Sequence, residues 1–312
     1  MQVRPFEWSD LPALHRHRQQ SVFLNSALVL TRGPMLVRGA LLSYLAPGMG
    51  AFTCVSNGDE EDGLFLIGQT IHNQGSKFAH LSFLTPNTAL KSPVVGAMLD
   101  YMIHTSGERG AFHLLAEADE QTVVLKALRA DNFAIYTRQR IWKFSDHPSR
   151  RPVTKKWRST TSLDAIAIRV LYHDLVPGLV QQVEPFSEQQ PSGLVHYLGD
   201  ELYAYVELKF GHRGIWAQPF FHPSAVDIPE RFVDLLQTIP NRFSRPVYVC
   251  VRSYQSWLET ALEELGAEPG ERQAVMMKHM AITKKAVQPV ALPAMEGRHP
   301  EITAPITRTE IE

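Results

Sequence analysis

The feature that most constrains this chain is that it repeats itself. At a constant offset of 134 positions, Gln121-Thr122 matches Gln255-Ser256, Ala127-Leu128 matches Ala261-Leu262, and Arg138-Gln139 matches Arg272-Gln273. Asn132 matches Gly266 at the same offset, and these are the two residue types that best tolerate the left-handed conformation closing a helix. Each stretch therefore reads as strand, helix, stop residue, strand, with Phe112 to Ala118 and Val247 to Val251 as the leading strands. A chain patterned this way folds as two similar lobes, and 312 residues leave room for two domains of about 150 each.

The openings of the two halves are expected to match as well. Val3-Arg4 precedes Asp10-Leu11, and Ile168-Arg169 precedes Asp174-Leu175, each read as a short strand followed by an aspartate that caps a helix. Between opening and end, Ala51 to Val55, Leu64 to Ile71 and Phe78 to Leu84 are predicted as antiparallel strands. Val94, Val95, Met98, Leu99, Met102 and Ile103 then recur at helical spacing. The second half offers strands from Gly193 to Phe221, around the turns Gly199-Asp200 and Gly211-His212-Arg213-Gly214, and a helix carrying Phe232, Val233, Leu235, Leu236 and Ile239. Domains are expected over residues 1–145 and 162–285. The connector 146–161 carries Pro148, Pro152 and the basic residues Arg150, Arg151, Lys155, Lys156 and Arg158; the proline-rich tail 286–312 is expected to be disordered.

Composition narrows the partners. A formal net charge of -1 gives no global attraction to nucleic acid or an anionic membrane, and the basic run reads as a solvated connector. The most apolar stretch, Met35 to Phe52, is broken by Arg38, Pro47 and three glycines, so it does not span a bilayer. The N-terminus has no signal-peptide pattern, and Cys54 and Cys250 form no framework spacing, so a cytoplasmic protein with reduced thiols is expected. No metal is expected: His15 and His17 point to different helix faces, and no Cys/His cluster exists. Hydrolase elbows, Walker loops and dinucleotide fingerprints are absent from the sequence.

The order of elements, with Val3-Arg4 and Asp10-Leu11 at the start and Val249-Cys250-Val251-Arg252 then Ala261-Leu262-Glu263-Glu264-Leu265-Gly266 near the end, resembles the GNAT superfamily of acetyl-CoA-dependent N-acyltransferases. The resemblance implies an α/β fold with a mixed α+β sheet in two tandem lobes. It implies acetyl-CoA as acyl donor, held by backbone amides where two strands splay and a helix begins. In this chain it assigns that role to Leu84, Thr85, Lys91, Ser92 and Gln121, in the N-terminal lobe.

The chain departs from the family pattern in two ways. Where the family carries a glycine-rich loop, the run from Thr85 holds only Gly96, and the second-half run from His222 to Pro229 holds no glycine and places Asp227 where an anion would bind. Where the family carries a tyrosine acid, this chain has Leu128 and Leu262, while Tyr136 and Tyr254 read as packing aromatics. Glu117, a carboxylate in an apolar strand, is the candidate base; on an alternating strand it also reads as a solvent-facing residue. The expected activity is transfer of an acetyl group to a small-molecule or peptide amine by direct attack. The alternative is a catalytically inactive ligand-binding or interaction protein, and a scaffold without a small ligand is a third reading.

Overall fold

A computed structural model describes residues 2–45, 50–56, 58, 64–145, 156–186, 191–243 and 245–280. The first half runs β1 (Val3–Pro5), α1 (Leu11–His17), β2 (Val22–Phe23), α2 (Ser26–Arg32), α3 (Leu36–Leu45), β3 (Ala51–Ser56), β4 (Ile67–Ile71) and β5 (Phe78–Thr85). It continues through α4 (Val94–Glu108), β6 (His113–Asp119), α5 (Val123–Ala130) and β7 (Ala134–Phe144). The second half runs β8 (Trp157–Ser159), α6 (Ala165–Leu175), α7 (Gly178–Val183), β9 (Gly193–Leu198), β10 (Glu201–Phe210) and β11 (Ile215–Phe221). It ends with α8 (Ile228–Thr238), β12 (Val247–Arg252), α9 (Leu258–Glu264) and β13 (Glu268–His279).

Among the described residues the strands form one mixed sheet in the order β1-β3-β4-β5-β6-β13-β7-β12-β11-β10-β9-β8, with β2 added to β5. Strand alternation separates two packed faces. Leu114, Ala116 and Ala118 of β6 join the core under α4 and α5, whereas Leu115 joins the core under α6 and α7. Likewise Val249 and Val251 face α8 and α9, while Cys250 lies on the opposite face beside Ala27 and Leu30 of α2. Both cysteines are buried and unbridged, and burial pushes the Cys250 thiol up to about 12.

The repeat is realised through an exchange of final strands. β13, the last strand of the second half, pairs antiparallel with β6 of the first; β7, the last strand of the first half, pairs with β12 of the second. The two exchanged strands then pair with each other, Gln139 opposite Gln273, with Arg140 opposite Arg272 and Arg138 opposite Ala274. Since the offset carries 138 onto 272 and 140 onto 274, this ladder maps onto itself, and a local two-fold axis runs through the two glutamines. The Gln139 amide donates to Gln273 Oε1 at 2.9 Å. Residues Met1–Ala281 consequently pack as one unit.

Several expectations are corrected. Ile168-Arg169 and Asp174-Leu175 are not a strand and a helix start but lie within α6. The true counterpart of the first opening is Arg158 with Asp164, inside and just beyond the expected connector 146–161, whose residues 157–159 form β8 against β9. Arg4 clamps Asp10 with two bonds of 2.8 and 2.7 Å; Arg158 clamps Asp164 with two of 2.8 and 2.6 Å, again six residues apart. Asp10 stands at the start of α1, yet its carboxylate takes the Glu7 amide and Arg4 rather than the helix amides. The Arg158 guanidinium, more than the Thr161 amide, holds the Asp164 carboxyl well below the usual range. The tail 286–312 lies outside the described residues.

Candidate functional site

β5 and β6 run parallel only where Phe78–His80 face His113–Leu115, and beyond that they diverge. The gap is entered by the chain's own backbone. Val22 and Phe23 pair with Leu84 and Phe83, the Leu24 amide donates to Ser82 O at 2.9 Å, and Leu24 O accepts from the Glu117 amide at 2.9 Å. Leu24 itself is buried in the core with Leu81 and Leu84, which anchors the segment by about 2 kcal/mol of apolar burial. Asn25 then turns the chain at once into α2, its side chain accepting from Leu28 N at 3.1 Å.

Just outside this insertion a cleft of about 910 Å³ opens. Leu24, just after β2, and Ser26 of α2 line it, with Asn87 and Leu90 from the 3-10 turn before α4, and Asp119, Gln121 and Thr122 from the step between β6 and α5. Lys143, Glu271 and Gln273 close it from the exchanged strands. Beneath it runs a hydrogen-bonded relay across the two-fold axis. The Ser26 hydroxyl donates to Gln273 Oε1 at 3.1 Å, Gln273 Nε2 donates to Asp119 Oδ1 at 2.9 Å, and the Cys250 thiol donates to Gln139 Oε1 at 3.3 Å. Thr122 caps α5, donating to Asp119 O at 2.7 Å while accepting from Leu125 N.

Of the residues proposed from the sequence, Gln121 lines the cleft, exposed and with φ of 70°. Leu84, Thr85, Lys91 and Ser92 do not. Leu84 is fully buried in the core and its backbone edge is paired with β2; the Thr85 hydroxyl is turned away to His17 O at 2.9 Å. Lys91 ends, and Ser92 follows, the 3-10 turn whose Asn87 and Leu90 reach the cleft. Glu117 is buried and stands behind the lining, its carboxylate accepting the Ser26 amide at 2.7 Å. Leu128 and Leu262 are wholly buried, so no proton donor stands at either position. Ser26, Asp119 and Gln273 were not singled out from the sequence as site residues, although Gln273 was visible as half of the repeated Arg-Gln pair.

The second half closes its own gap differently. β11 and β12 run parallel over Ile215–Ala217 and Val247–Val249, then part. The Gln255 side chain fills the opening: its Oε1 accepts from Phe221 N at 2.9 Å and its Nε2 donates to Pro219 O at 2.8 Å. On the same face as Cys250, Arg252 bonds both oxygens of Glu184 at 3.1 Å, and the hydroxyl of Tyr136 also donates to Glu184. Burial alone would raise the Glu184 carboxyl, but Arg252 and Tyr136 outweigh it and keep it ionised. Burial, reinforced by Glu184, holds Tyr136 protonated, and burial lowers His80 nearby. This cluster ties β7, α7 and β12 together.

The fold is shared with solved proteins. A GCN5-related N-acetyltransferase from Sphaerobacter thermophilus is similar over 90% of this chain and 96% of its own, with a TM-score of 0.50 and 11% identity. A tandem GNAT protein from the clavulanic acid biosynthesis pathway, solved without acetyl-CoA, is similar over 90% and 99%, with a TM-score of 0.51 and 13% identity. No family model matches the chain, and no curated protein matches its sequence. The class defined by sheet order, splayed strands and similarity is thus the tandem GNAT fold. Among the described residues no helix is long and apolar enough to cross a membrane, and no group of three or more metal-ligating side chains converges.

Proposed function

We propose that the chain is an N-acetyltransferase whose first lobe takes acetyl-CoA in the 910 Å³ cleft and passes the acyl group to a small-molecule or peptide amine. The observation that supports this reading is the position of the cleft. It opens where β5 and β6 diverge and where the segments leading into α4 and α5 begin, the place at which this fold presents backbone amides to an acyl-coenzyme A. In the proposed reaction the amine nitrogen attacks the thioester carbonyl, the carbon–sulfur bond breaks, and the thiolate leaves. Asp119, the β6 carboxylate lining the cleft, receives the amine proton; Glu117 positions Ser26. With Leu128 where the family's acid would stand, the thiolate takes its proton from solvent. Two unbridged thiols support a cytoplasmic setting.

Calorimetric titration with acetyl-CoA tests binding, and free-thiol release across a panel of amines tests turnover. Binding at one site, abolished by Leu90→Trp, together with thiol release is the expected result; no heat at high micromolar concentration sinks the reading. A second reading, a GNAT-like binding protein without transfer chemistry, is favoured by the β2 insertion and by Leu128 and Leu262. Binding without thiol release from any amine selects it.

A further inference from the structure

A separate cavity of about 510 Å³ lies where the end of α2 meets the turn between β10 and β11. Three arginines line it, Arg32 from α2, Arg38 from α3 and Arg213 from the turn, with His212 beside them, and no carboxylate contributes to its lining. The arginines are exposed, and among the described residues none of the three is ion-paired. Other arginines do meet a carboxylate, as Arg4 with Asp10, Arg158 with Asp164, and Arg252 with Glu184. Three like charges brought to one concavity give it a positive potential that favours an anion there.

The arrangement is fixed by close packing between the two halves. The Arg213 amide donates to Thr31 O at 2.9 Å and the Gly33 amide to Val29 O at 2.8 Å, so two of the carbonyls ending α2 are already taken. Gly33, at φ of 80°, leaves space for the Arg213 side chain; a Cβ there would stand 2.8 Å from Arg213 Cδ. A Cβ on Gly211 would lie 2.1 Å from Thr31 O, so the turn docks on α2 only as glycine. The backbone of Arg213 is thereby fixed against the end of α2, beside Arg32.

We propose that this cavity is a binding site for a phosphorylated small molecule carrying at least two phosphate groups. Planar guanidinium forks match phosphate oxygens pairwise, three forks exceed what one carboxylate satisfies, and the volume of this open cavity falls in the roughly 300–1,000 Å³ range of small-molecule sites. The site is independent of the cleft reading, since it shares no lining residue with it.

The test is calorimetric titration of the full chain with inorganic pyrophosphate at low ionic strength, with citrate as comparator. One site is expected, weakened about 10-fold or more by Arg213→Ala and by Arg38→Ala, and unchanged by Arg129→Ala on the exposed face of α5. Because no described residue forms an ion pair with these arginines, both variants should melt no lower than the parent without ligand, and pyrophosphate should raise the melting temperature of the parent alone. Absence of heat, affinity retained in both variants, equal weakening by Arg129→Ala, or tighter binding of citrate would each overturn the proposal.

Discussion

Gln121 and Gln255 occupy the same step of the repeat and meet opposite fates. Gln121 is exposed at a left-handed φ on the rim of the cleft, while Gln255 is 1% exposed and spent on the backbone of β11. The difference predicts unequal mutants. Gln255→Ala leaves Phe221 N and Pro219 O buried without partners and should cost about 2–4 kcal/mol in urea unfolding. Gln121→Ala should cost less than about 0.5 kcal/mol; equal effects would refute the asymmetry. The sequence made the pairing of these glutamines legible but not their environments, because one amide looks like another until the neighbouring strand is in place. The second Arg–Asp clamp escaped for a related reason. β8 is three residues with two exposed, so Arg158 sits in a run whose prolines and charges read as connector.

At the level of elements, long amphipathic segments were readable and short insertions were not. α4 buries Val94, Val95, Met98, Leu99 and Met102 at the spacing the sequence shows, and α8 buries Phe232, Val233, Leu235 and Leu236. β2 has two residues, too few for any periodicity, and its role depends on the gap it enters. Only a few ladder bonds hold it, each worth about 0.5–1.5 kcal/mol net, so a ligand with its own amides can compete for the β5 edge. If acetyl-CoA binds in the family manner, hydrogen exchange at Leu24 and Glu117 should quicken at least about 10-fold on saturation, since their partners are surrendered. Saturation without that change means the ligand sits in the cleft outside β2 and leaves the insertion in place.

For the whole molecule, the exchange of β7 and β13 predicts that neither half stands alone. Residues 1–145 lack the strand that covers β6, leaving Leu114, Ala116 and Glu117 along an open edge. That fragment should show no cooperative urea transition by circular dichroism, while mixing it with residues 156–281 should restore one; a cooperative transition for 1–145 by itself would contradict the exchange. The duplication was legible, yet the exchange was not. Both leading strands are apolar and similarly spaced, so β7 satisfies the pattern equally well beside β6 or beside β12. Gln139 facing Gln273 on the two-fold axis has one more consequence. A half-length chain carrying this ladder would meet only its own copy across it, and so would come apart on dilution. Joining both copies in one polypeptide makes that meeting a first-order event, and the continuous sheet becomes indifferent to how much protein is present.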